Sequence, residues 1–207
     1  METIQLQNNL GTCVLKASGM LQRGGVIIYP TDTLYGLGAD ALSDEAVAKV
    51  YEIKGRNEGK PMHAVFADME MVREYAEVND TAEKLAERFL PGALTLILIK
   101  KPQFNAGFVK GIDTIGVRIP DNEFCLELAR TFGKPYTATS ANIAGQVPQL
   151  SVEKVLEQLG PNAKGVDQVI DGGVLSMRQP TTVVRVANGE IFILREGAIL
   201  KEEILAT

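Results

Sequence analysis

The stretch IKGRNEGKPM, residues 53–62, places three cations and two glycines within ten residues of a chain whose net charge is −5. Lysine and arginine beside glycine could bind phosphate, and the first candidate is a P-loop, which requires G-x-x-x-x-G-K-[ST] between a strand and the following helix. Here one residue is missing between Gly55 and Gly59, Lys60 is followed by Pro61, and the predicted order is helix, loop and strand. The stretch is therefore not a P-loop.

The same residues also fit an ordinary helix end followed by a solvated basic loop. A helix is predicted over Asp44–Lys54, so Gly55 would be the first residue after it. Lys54 would then place a cation near the negative end of the helix dipole. Local sequence alone favours this interpretation over a ligand site, and the rest of the chain has to decide between them.

A second polar cluster, YPTDTLYGLGAD, covers residues 29–40 and directly follows a predicted strand. It offers two hydroxyls and a carboxylate, from Thr31, Asp32 and Thr33. Polar groups at the ends of strands in α/β sheets often bind ligands. A Pro-Thr-Asp turn with an Asx-type cap explains the same residues equally well.

A third cluster, TATSANIAG, covers residues 137–145 and is unusually small and polar for a segment that begins on a strand. Small side chains leave space, and Ser140 and Asn142 could hydrogen-bond phosphate or ribose oxygens. The same residue types also cap helices and build turns, so this cluster is weak on its own.

Two arginines lie in otherwise apolar strands: Arg118 in IGVRIP and Arg195 at the end of IFILREG. A charge in such a setting is rarely left unpaired. Each arginine therefore either meets a carboxylate of the protein or binds an anion. Thr181 and Thr182 open another predicted strand and add hydroxyls to this group.

Histidine and cysteine offer little chemistry in this chain, which has one histidine and two cysteines. His63 lies in a predicted strand without a visible partner, so a hydrogen-bonded or surface histidine is favoured over a catalytic one. Cys13 and Cys125 form no CxxC, so neither a disulfide scaffold nor a zinc site is implied. Any catalysis would rest on cations, hydroxyls, amides and carboxylates.

The composition is that of an ordinary globular protein, with 207 residues of which 45% are hydrophobic and 23% charged. The acidic balance argues against sequence-independent binding of nucleic acid but leaves room for a local basic surface. The N-terminus lacks a signal-peptide core, and the apolar run LTLILI is too short to span a bilayer. We expect a single domain over residues 1–207 in a reducing, cytoplasmic setting.

Helical periodicity and capping residues predict helices at Cys13–Gln22, Asp44–Lys54, Thr81–Phe89, Glu123–Phe132 and Val152–Leu159, with a weaker one over 69–76. Apolar segments predict strands at 26–29, 63–66, 94–99, 115–119, 136–140, 168–170, 181–186 and 191–195. The tripeptide ANG between the last two predicts a hairpin. The expected fold is α/β, with a twisted sheet of mixed parallel and antiparallel strands flanked by helices.

Six motifs occur in the order YPTDTLYGLGADA, YEIKGRNEGKPM, FLPGALTLIL, TIGVRIP, TSANIAG and ILREGAI. Together they resemble the YrdC/Sua5 family, the threonylcarbamoyl-AMP synthases, in its short, single-domain form. The resemblance runs from about Gly24 to Ile199 and implies a YrdC-like fold with an open concave site. It also implies synthesis of threonylcarbamoyl-AMP and pyrophosphate from ATP, L-threonine and bicarbonate. A separate transferase would use this product for t6A modification of tRNA.

The resemblance also implies roles for individual residues. The catalytic set would be Lys54, Arg56, Ser140 and Asn142. ATP would contact the same four side chains and also Lys60, Thr114 and Arg195. Threonine would lie near Thr33, Arg118 and Thr181. Mg²⁺ would accompany ATP, with Asp32 as a candidate ligand of the ion.

The chain departs from the family pattern at Asn57, where proline is usual, at Val65, where longer members have a histidine, and at Arg185, where aspartate is familiar. These departures leave open a nucleotide-binding paralogue with little synthase activity. A second alternative, which does not depend on them, is a module that binds structured RNA, such as tRNA or double-stranded RNA, on the same concave basic surface. The acidic net charge counts against this second alternative as the main role.

Overall fold

The computed structural model describes residues 1–7, 9–55 and 62–207. These residues form one sheet of ten strands. The strands are β1 (Glu2–Gln5), β2 (Ile27–Pro30), β3 (Tyr35–Gly38), β4 (His63–Val65), β5 (Leu94–Ile99), β6 (Thr114–Arg118), β7 (Tyr136–Ser140), β8 (Gln168–Asp171), β9 (Thr182–Ala187) and β10 (Glu190–Arg195).

Seven α-helices flank this sheet in the described part of the chain. They are α1 (Leu10–Gln22), α2 (Asp44–Ile53), α3 (Met69–Tyr75), α4 (Asp80–Phe89), α5 (Glu123–Phe132), α6 (Val152–Leu159) and α7 (Lys201–Leu205). Short 3₁₀ helices lie at Gly107–Val109 and Gly160–Gly165. Of the helices described, none combines the length and apolar character needed to cross a membrane.

The strand order is β1-β8-β2-β3-β7-β4-β6-β5-β9-β10. Parallel pairing joins β1 to β8, β8 to β2, β4 to β6 and β5 to β9, and the remaining neighbours are antiparallel. The prediction of a mixed sheet flanked by helices is confirmed.

Alternation along the strands sends apolar side chains to two clusters. Ile28 and Ala64 belong to the larger cluster, which α2, α4 and α6 cover. Ile27 and Val65, their neighbours in sequence, belong to the smaller cluster beneath α1 and α5. Because successive residues of a strand point to opposite faces, the two clusters lie on opposite faces of the sheet. The smaller cluster leaves part of its face uncovered, and the site lies there.

Local signals placed several element ends correctly. The Ser43 side chain accepts a hydrogen bond from the amide of Ala46 and starts α2, and Gly133, with φ of 77°, ends α5. Asn188 and Gly189 have φ of 52° and 81° between β9 and β10, as a type I′ hairpin turn requires. The predicted hairpin is confirmed.

The observed elements differ from the predicted ones in three respects. Helix α4 begins at Asp80, one residue before the predicted Thr81, and its cap is Asn79. Residues 29–40 were predicted to form a polar turn after a strand, but they contain β3, a four-residue strand with two glycines. Glycine is depleted in strands, so this element carried almost no signal. The short elements β1 and α7 were also missed.

Candidate active site

An open cavity of about 370 Å³ lies on the uncovered part of the sheet. It brings together five residues that the sequence analysis assigned to a site: Thr33, Arg118, Ser140, Thr181 and Arg195. They come from five separate segments of the chain. The volume is within the range of small-molecule sites in proteins.

Strand register explains why two distant arginines meet in this cavity. Arg118 on β6 lies opposite Thr95 on β5, Thr95 lies beside Val183 on β9, and Val183 lies opposite Arg195 on β10. These residues form one row across four neighbouring strands. Both arginines line the same cavity at the two ends of this row.

A β-bulge decides the direction of Arg195. Ile193 pairs with Val184, and Arg195 pairs with Val183, so the register shifts between them. In a regular strand Arg195 would share the face of Ile193, which packs against the larger core cluster. The extra residue turns Arg195 to the opposite face, where Thr95 lies. Bulges often reorient a side chain in this way beside functional sites.

Arg118 is partly neutralised and partly available to a ligand. One guanidinium nitrogen forms an ion pair with Asp32, and the two side chains are only 11% and 4% exposed. The other carboxylate oxygen of Asp32 accepts from the amide of Asp121 at 3.3 Å. Arg118 Nε is buried and has no hydrogen-bond partner among the described residues. A buried N–H of this kind is costly unless a ligand accepts from it.

Arg195 has only neutral partners among the described residues. It donates to the carbonyl oxygen of Thr181, at 3.2 Å from Nε and 2.8 Å from a terminal nitrogen, and to Thr181 Oγ1 at 3.1 Å. Burial lowers the pKa of Arg195, and the positive charge of Arg118 lowers it further. The positive charges of the two guanidinium groups therefore repel each other, and an anion bound in the cavity between them would reduce this repulsion.

Hydroxyl groups complete the wall between the arginines. Thr181 Oγ1 lies 2.8 Å from Thr95 Oγ1, a residue that the sequence analysis did not select. The signal was a single polar residue inside the apolar run LTLILI, the same criterion that singled out Arg118.

Thr33 lies in a turn that is stabilised differently from the Asx-type cap considered above. Thr31 Oγ1 accepts from the amides of Thr33 and Leu34, each at 3.1 Å, and donates to the carbonyl of Leu34 at 2.7 Å. The hydroxyl of Thr31 therefore builds the turn, and the carboxylate of Asp32 is left to pair with Arg118. Thr33 Oγ1 lies 3.1 Å from Thr31 Oγ1 and lines the cavity.

Lys54, Ser140 and Asn142 converge as expected, but the lysine serves a structural purpose here. Lys54 is 3% exposed, and its ammonium donates to Asn142 Oδ1 at 2.9 Å and to the carbonyl of Asn142 at 3.1 Å. It also donates to the carbonyl of Ser140, whose hydroxyl donates to Asn142 Oδ1. The end of α2 is thus joined to the segment after β7. Ser140 lines the cavity, whereas Lys54 and Asn142 do not, so their contact with ATP stays a prediction.

Other residues selected from the sequence lie elsewhere. Arg56, Lys60 and Asn57 are outside the described residues. Thr114 starts β6 and does not line the cavity, so its role in ATP binding stays a prediction. Arg185 is exposed on β9, opposite Phe192, and also lies outside the cavity.

His63 was expected to be a hydrogen-bonded or surface residue rather than a catalytic one, which stays a prediction; it is half-buried and lines the cavity together with Val65. Its imidazole packs on the Cα of Gly116, where an added Cβ would lie 2.5 Å from His63 Cδ2. Gly116 therefore makes room for the histidine. Within residues 1–7, 9–55 and 62–207, no group of three or more His, Cys, Asp or Glu side chains could hold a metal ion.

The structure is that of an α/β protein with an open sheet, on which arginines and hydroxyls surround one cavity, and such a site is suited to small anionic ligands. The match to known proteins narrows this description. The Sua5/YciO/YrdC family model, described as telomere recombination, matches residues 19–197. The chain therefore belongs to the Sua5/YciO/YrdC family, and the resemblance seen in the motifs is confirmed.

Several named proteins have sequences or structures that are similar to most of this chain. A Methanocaldococcus jannaschii protein, provisionally named threonylcarbamoyl-AMP synthase, is 42% identical over 85% of this chain and 81% of its own length. The Bacillus subtilis threonylcarbamoyl-AMP synthase is 36% identical over 93% of this chain and 56% of its own length. The crystal structure of P. abyssi Sua5 with L-threonine aligns with a TM-score of 0.88 and 33% identity, over 99% of this chain and 59% of that one. The chain thus spans little more than half of these two longer relatives.

Proposed function

We propose that this protein is an L-threonylcarbamoyladenylate synthase, a nucleotidyltransferase that uses ATP, L-threonine and bicarbonate. The observation that carries the proposal is the buried, unpartnered Nε–H of Arg118 in a cavity that also holds Arg195 and Thr181, within the described part of the chain. The P. abyssi relative that aligns along nearly the whole chain was crystallised with L-threonine, which supports an amino acid as the ligand of this cavity.

Arg118 is suited to the carboxylate of threonine. Its ion pair with Asp32 holds the guanidinium in place, and Nε–H remains as a donor to a carboxylate oxygen. Thr181 and Thr33 line the same space and would bind the carboxylate and the side-chain hydroxyl of the substrate. Donors fixed by other contacts lose little entropy on binding.

The nucleotide would extend from the Arg195 and Ser140 sides of the cavity. Arg195 keeps its charge and has neutral partners only, among the described residues, so it is suited to a phosphate. Family position adds Lys54, Arg56, Lys60, Thr114 and Asn142 to the groups that we expect near ATP. Arginine and lysine bind phosphate without titrating near neutral pH.

The reaction joins two anions. The amine of threonine attacks bicarbonate, a C–N bond forms and water leaves, which gives an N-carboxylate. A carboxylate oxygen then attacks the α-phosphorus of ATP, the bond from this phosphorus to the bridging oxygen breaks, and pyrophosphate leaves. Two unit charges 4 Å apart repel by about 4 kcal/mol at an effective dielectric constant of 20. Fixed cations between the reactants offset this repulsion and stabilise the charge that develops in the transition state.

Mg²⁺ would enter with ATP rather than occupy a site of its own. The described residues offer no cluster of metal ligands. Asp32, the candidate ligand, already uses both oxygens for Arg118 and the amide of Asp121. We infer that the ion stays on the phosphates of the substrate, where it reduces their charge.

The product would pass to a tRNA-modifying transferase, so we expect the enzyme to work in the cytoplasm.

The test is to incubate the protein with ATP, bicarbonate and labelled threonine and to separate the adenylate by chromatography. Pyrophosphate release should require both threonine and bicarbonate. Arg195→Gln should lower it roughly 10- to 100-fold, because one charged hydrogen bond contributes about 1.5–3 kcal/mol. Arg130→Gln is the matched control, since Arg130 is exposed and its ion pair is with Glu127 on the same helix.

The possible outcomes separate the alternatives. ATP hydrolysis that is indifferent to threonine and bicarbonate would contradict the proposal. Binding of ATP and threonine with almost no adenylate would favour the paralogue of low activity. Salt-dependent RNA binding without turnover would favour the RNA-binding module.

A further inference from the structure

Two threonine hydroxyls face each other in the wall of the cavity. Thr95 Oγ1 lies 2.8 Å from Thr181 Oγ1, and the two residues are 0% and 5% exposed. Thr181 Oγ1 also accepts a hydrogen bond from Arg195 at 3.1 Å. A hydroxyl has one proton to donate and two lone pairs with which to accept, so the protons of this group can be assigned.

The hydroxyls of Thr95 and Thr181 have two protons, and the hydrogen bond between them uses only one. One of the two hydroxyl protons bridges the two oxygens. Arg195 supplies its own proton to a lone pair of Thr181. Among the described residues, neither hydroxyl has any other hydrogen-bond partner. The second hydroxyl proton is therefore left for a ligand in the cavity that both residues line.

We propose that Thr95 is a positioning residue that directs the Thr181 hydroxyl toward the carboxylate of the substrate. Thr95 donates to Thr181 and fills its second lone pair, so the O–H of Thr181 must turn away from both Thr95 and Arg195. We assign Thr181 as the hydroxyl that reaches the ligand, because this residue keeps 5% exposure to solvent whereas Thr95 has none. The inference rests on the proposed function, which supplies the carboxylate.

The neighbouring donor fits the same ligand. Thr95 lies directly opposite Arg118 in the β5–β6 ladder, and Arg118 Nε–H is buried without a partner among the described residues. Arg118 and Thr181 thus present two donors to the cavity, and both lone pairs of the Thr181 hydroxyl are already used by Thr95 and Arg195. An ionised carboxylate, which only accepts hydrogen bonds, matches such a wall.

The experiment measures KM and kcat for Thr95→Val and Thr95→Ser. Valine keeps the shape of the side chain and removes the hydroxyl, so the Thr181 O–H is no longer held in one direction. We expect the KM for threonine to rise about tenfold, a change that corresponds to the loss of one hydrogen bond, while the KM for ATP and kcat change by less than about twofold. Serine retains the hydroxyl and should restore the KM for threonine to within about twofold of wild type.

A double variant tests whether Thr95 acts through Thr181. If it does, Thr95→Val should have no further effect on the KM for threonine in a Thr181→Val background. If the two effects add, Thr95 contacts the ligand itself and the inference is wrong.

The matched control is Thr137→Val. Thr137 is also 0% exposed, but its hydroxyl bonds the backbone of Leu37 and Ala39 and does not line the cavity. This variant should lose stability in urea denaturation with an unchanged KM. A Thr95→Val protein that behaves in the same way would overturn the inference and leave the proposed function intact. A wild-type protein that shows neither threonine binding in calorimetry nor adenylate formation would refute the proposed function itself.

Discussion

The ion pair between Arg118 and Asp32 allows the contribution of Arg118 to stability to be separated from its contribution to binding. Replacing Arg118 by methionine removes the charge and leaves Asp32, whose side chain is 4% exposed, without its cation. Breaking a buried pair from one side costs about 3–5 kcal/mol. We expect urea denaturation of Arg118→Met to show a loss of this size.

A second substitution, Asp32→Asn, removes the buried negative charge that Arg118→Met leaves without a cation. In Arg118→Met/Asp32→Asn the buried position is neutral, and the introduced carboxamide would still present an oxygen to the amide of Asp121, which bonds Asp32 at 3.3 Å in the structure. Replacing both members of a buried pair is often close to neutral for stability. Most of the lost stability should therefore return in the double variant.

Binding should not return with it. The double variant still lacks the Nε–H that we propose as a donor to the carboxylate, and a hydrogen bond to a charged group contributes about 1.5–3 kcal/mol. The KM for threonine should stay roughly 10- to 150-fold above wild type, measured by pyrophosphate release at saturating ATP and bicarbonate. If stability and the KM for threonine recover together, Arg118 serves the fold alone and the assignment of the carboxylate site is refuted.

Three further changes test other parts of the site. Gly116→Ala should displace His63, since the new Cβ would lie 2.5 Å from its ring, and should cost about 1–3 kcal/mol in urea denaturation together with a loss of adenylate formation. Lys54→Met should destabilise the protein by about 1–3 kcal/mol because the oxygens of Asn142 lose a buried donor; wild-type stability would mean that this network is dispensable. Burial raises the pKa of Cys125 to about 12, so its thiol stays protonated at pH 8 and should react with thiol reagents only after unfolding; rapid labelling of the native protein would contradict this.

The sequence predicted the parts of the fold that depend on local patterns. Helices α5 and α6 begin and end where capping residues and periodicity place them, because those signals lie within the element itself. Strand β3 was missed because four residues with two glycines have no intrinsic preference for a strand. It is held by pairing with β2 and β7 on either side, and such contacts are not visible in one segment.

The site was only partly predictable for the same reason. Arg118 and Arg195 could be selected as charges in apolar strands, but their meeting depends on the row of residues across β6, β5, β9 and β10. The direction of Arg195 depends on a register shift of one residue. Thr95 has the same signal as Arg118, a polar group in an apolar run, but threonine is common in strands, so its presence there does not by itself indicate a site. The contact of Lys54 with ATP was implied by the family resemblance and stays a prediction, while the described structure bonds this ammonium to protein oxygens.

A chain with a net charge of −5 can hold an anion site because the balance of charge inside a cavity, rather than over the whole surface, sets the local potential. Exposed carboxylates are screened by solvent, with a Debye length of about 8 Å at physiological salt. Arg118 is buried, Arg195 is more exposed to solvent, and only Arg118 has a carboxylate partner in the described structure. Asp32 therefore has two effects that oppose each other: it reduces the positive charge of the cavity, and its ion pair holds the guanidinium of Arg118 in place at the cavity wall. The uncompensated guanidinium that remains, on Arg195, is enough to favour one anion, and the second anion of the reaction would need further cations. We expect these from the basic stretch at residues 53–62, which would explain why three cations occur within ten residues of an acidic protein.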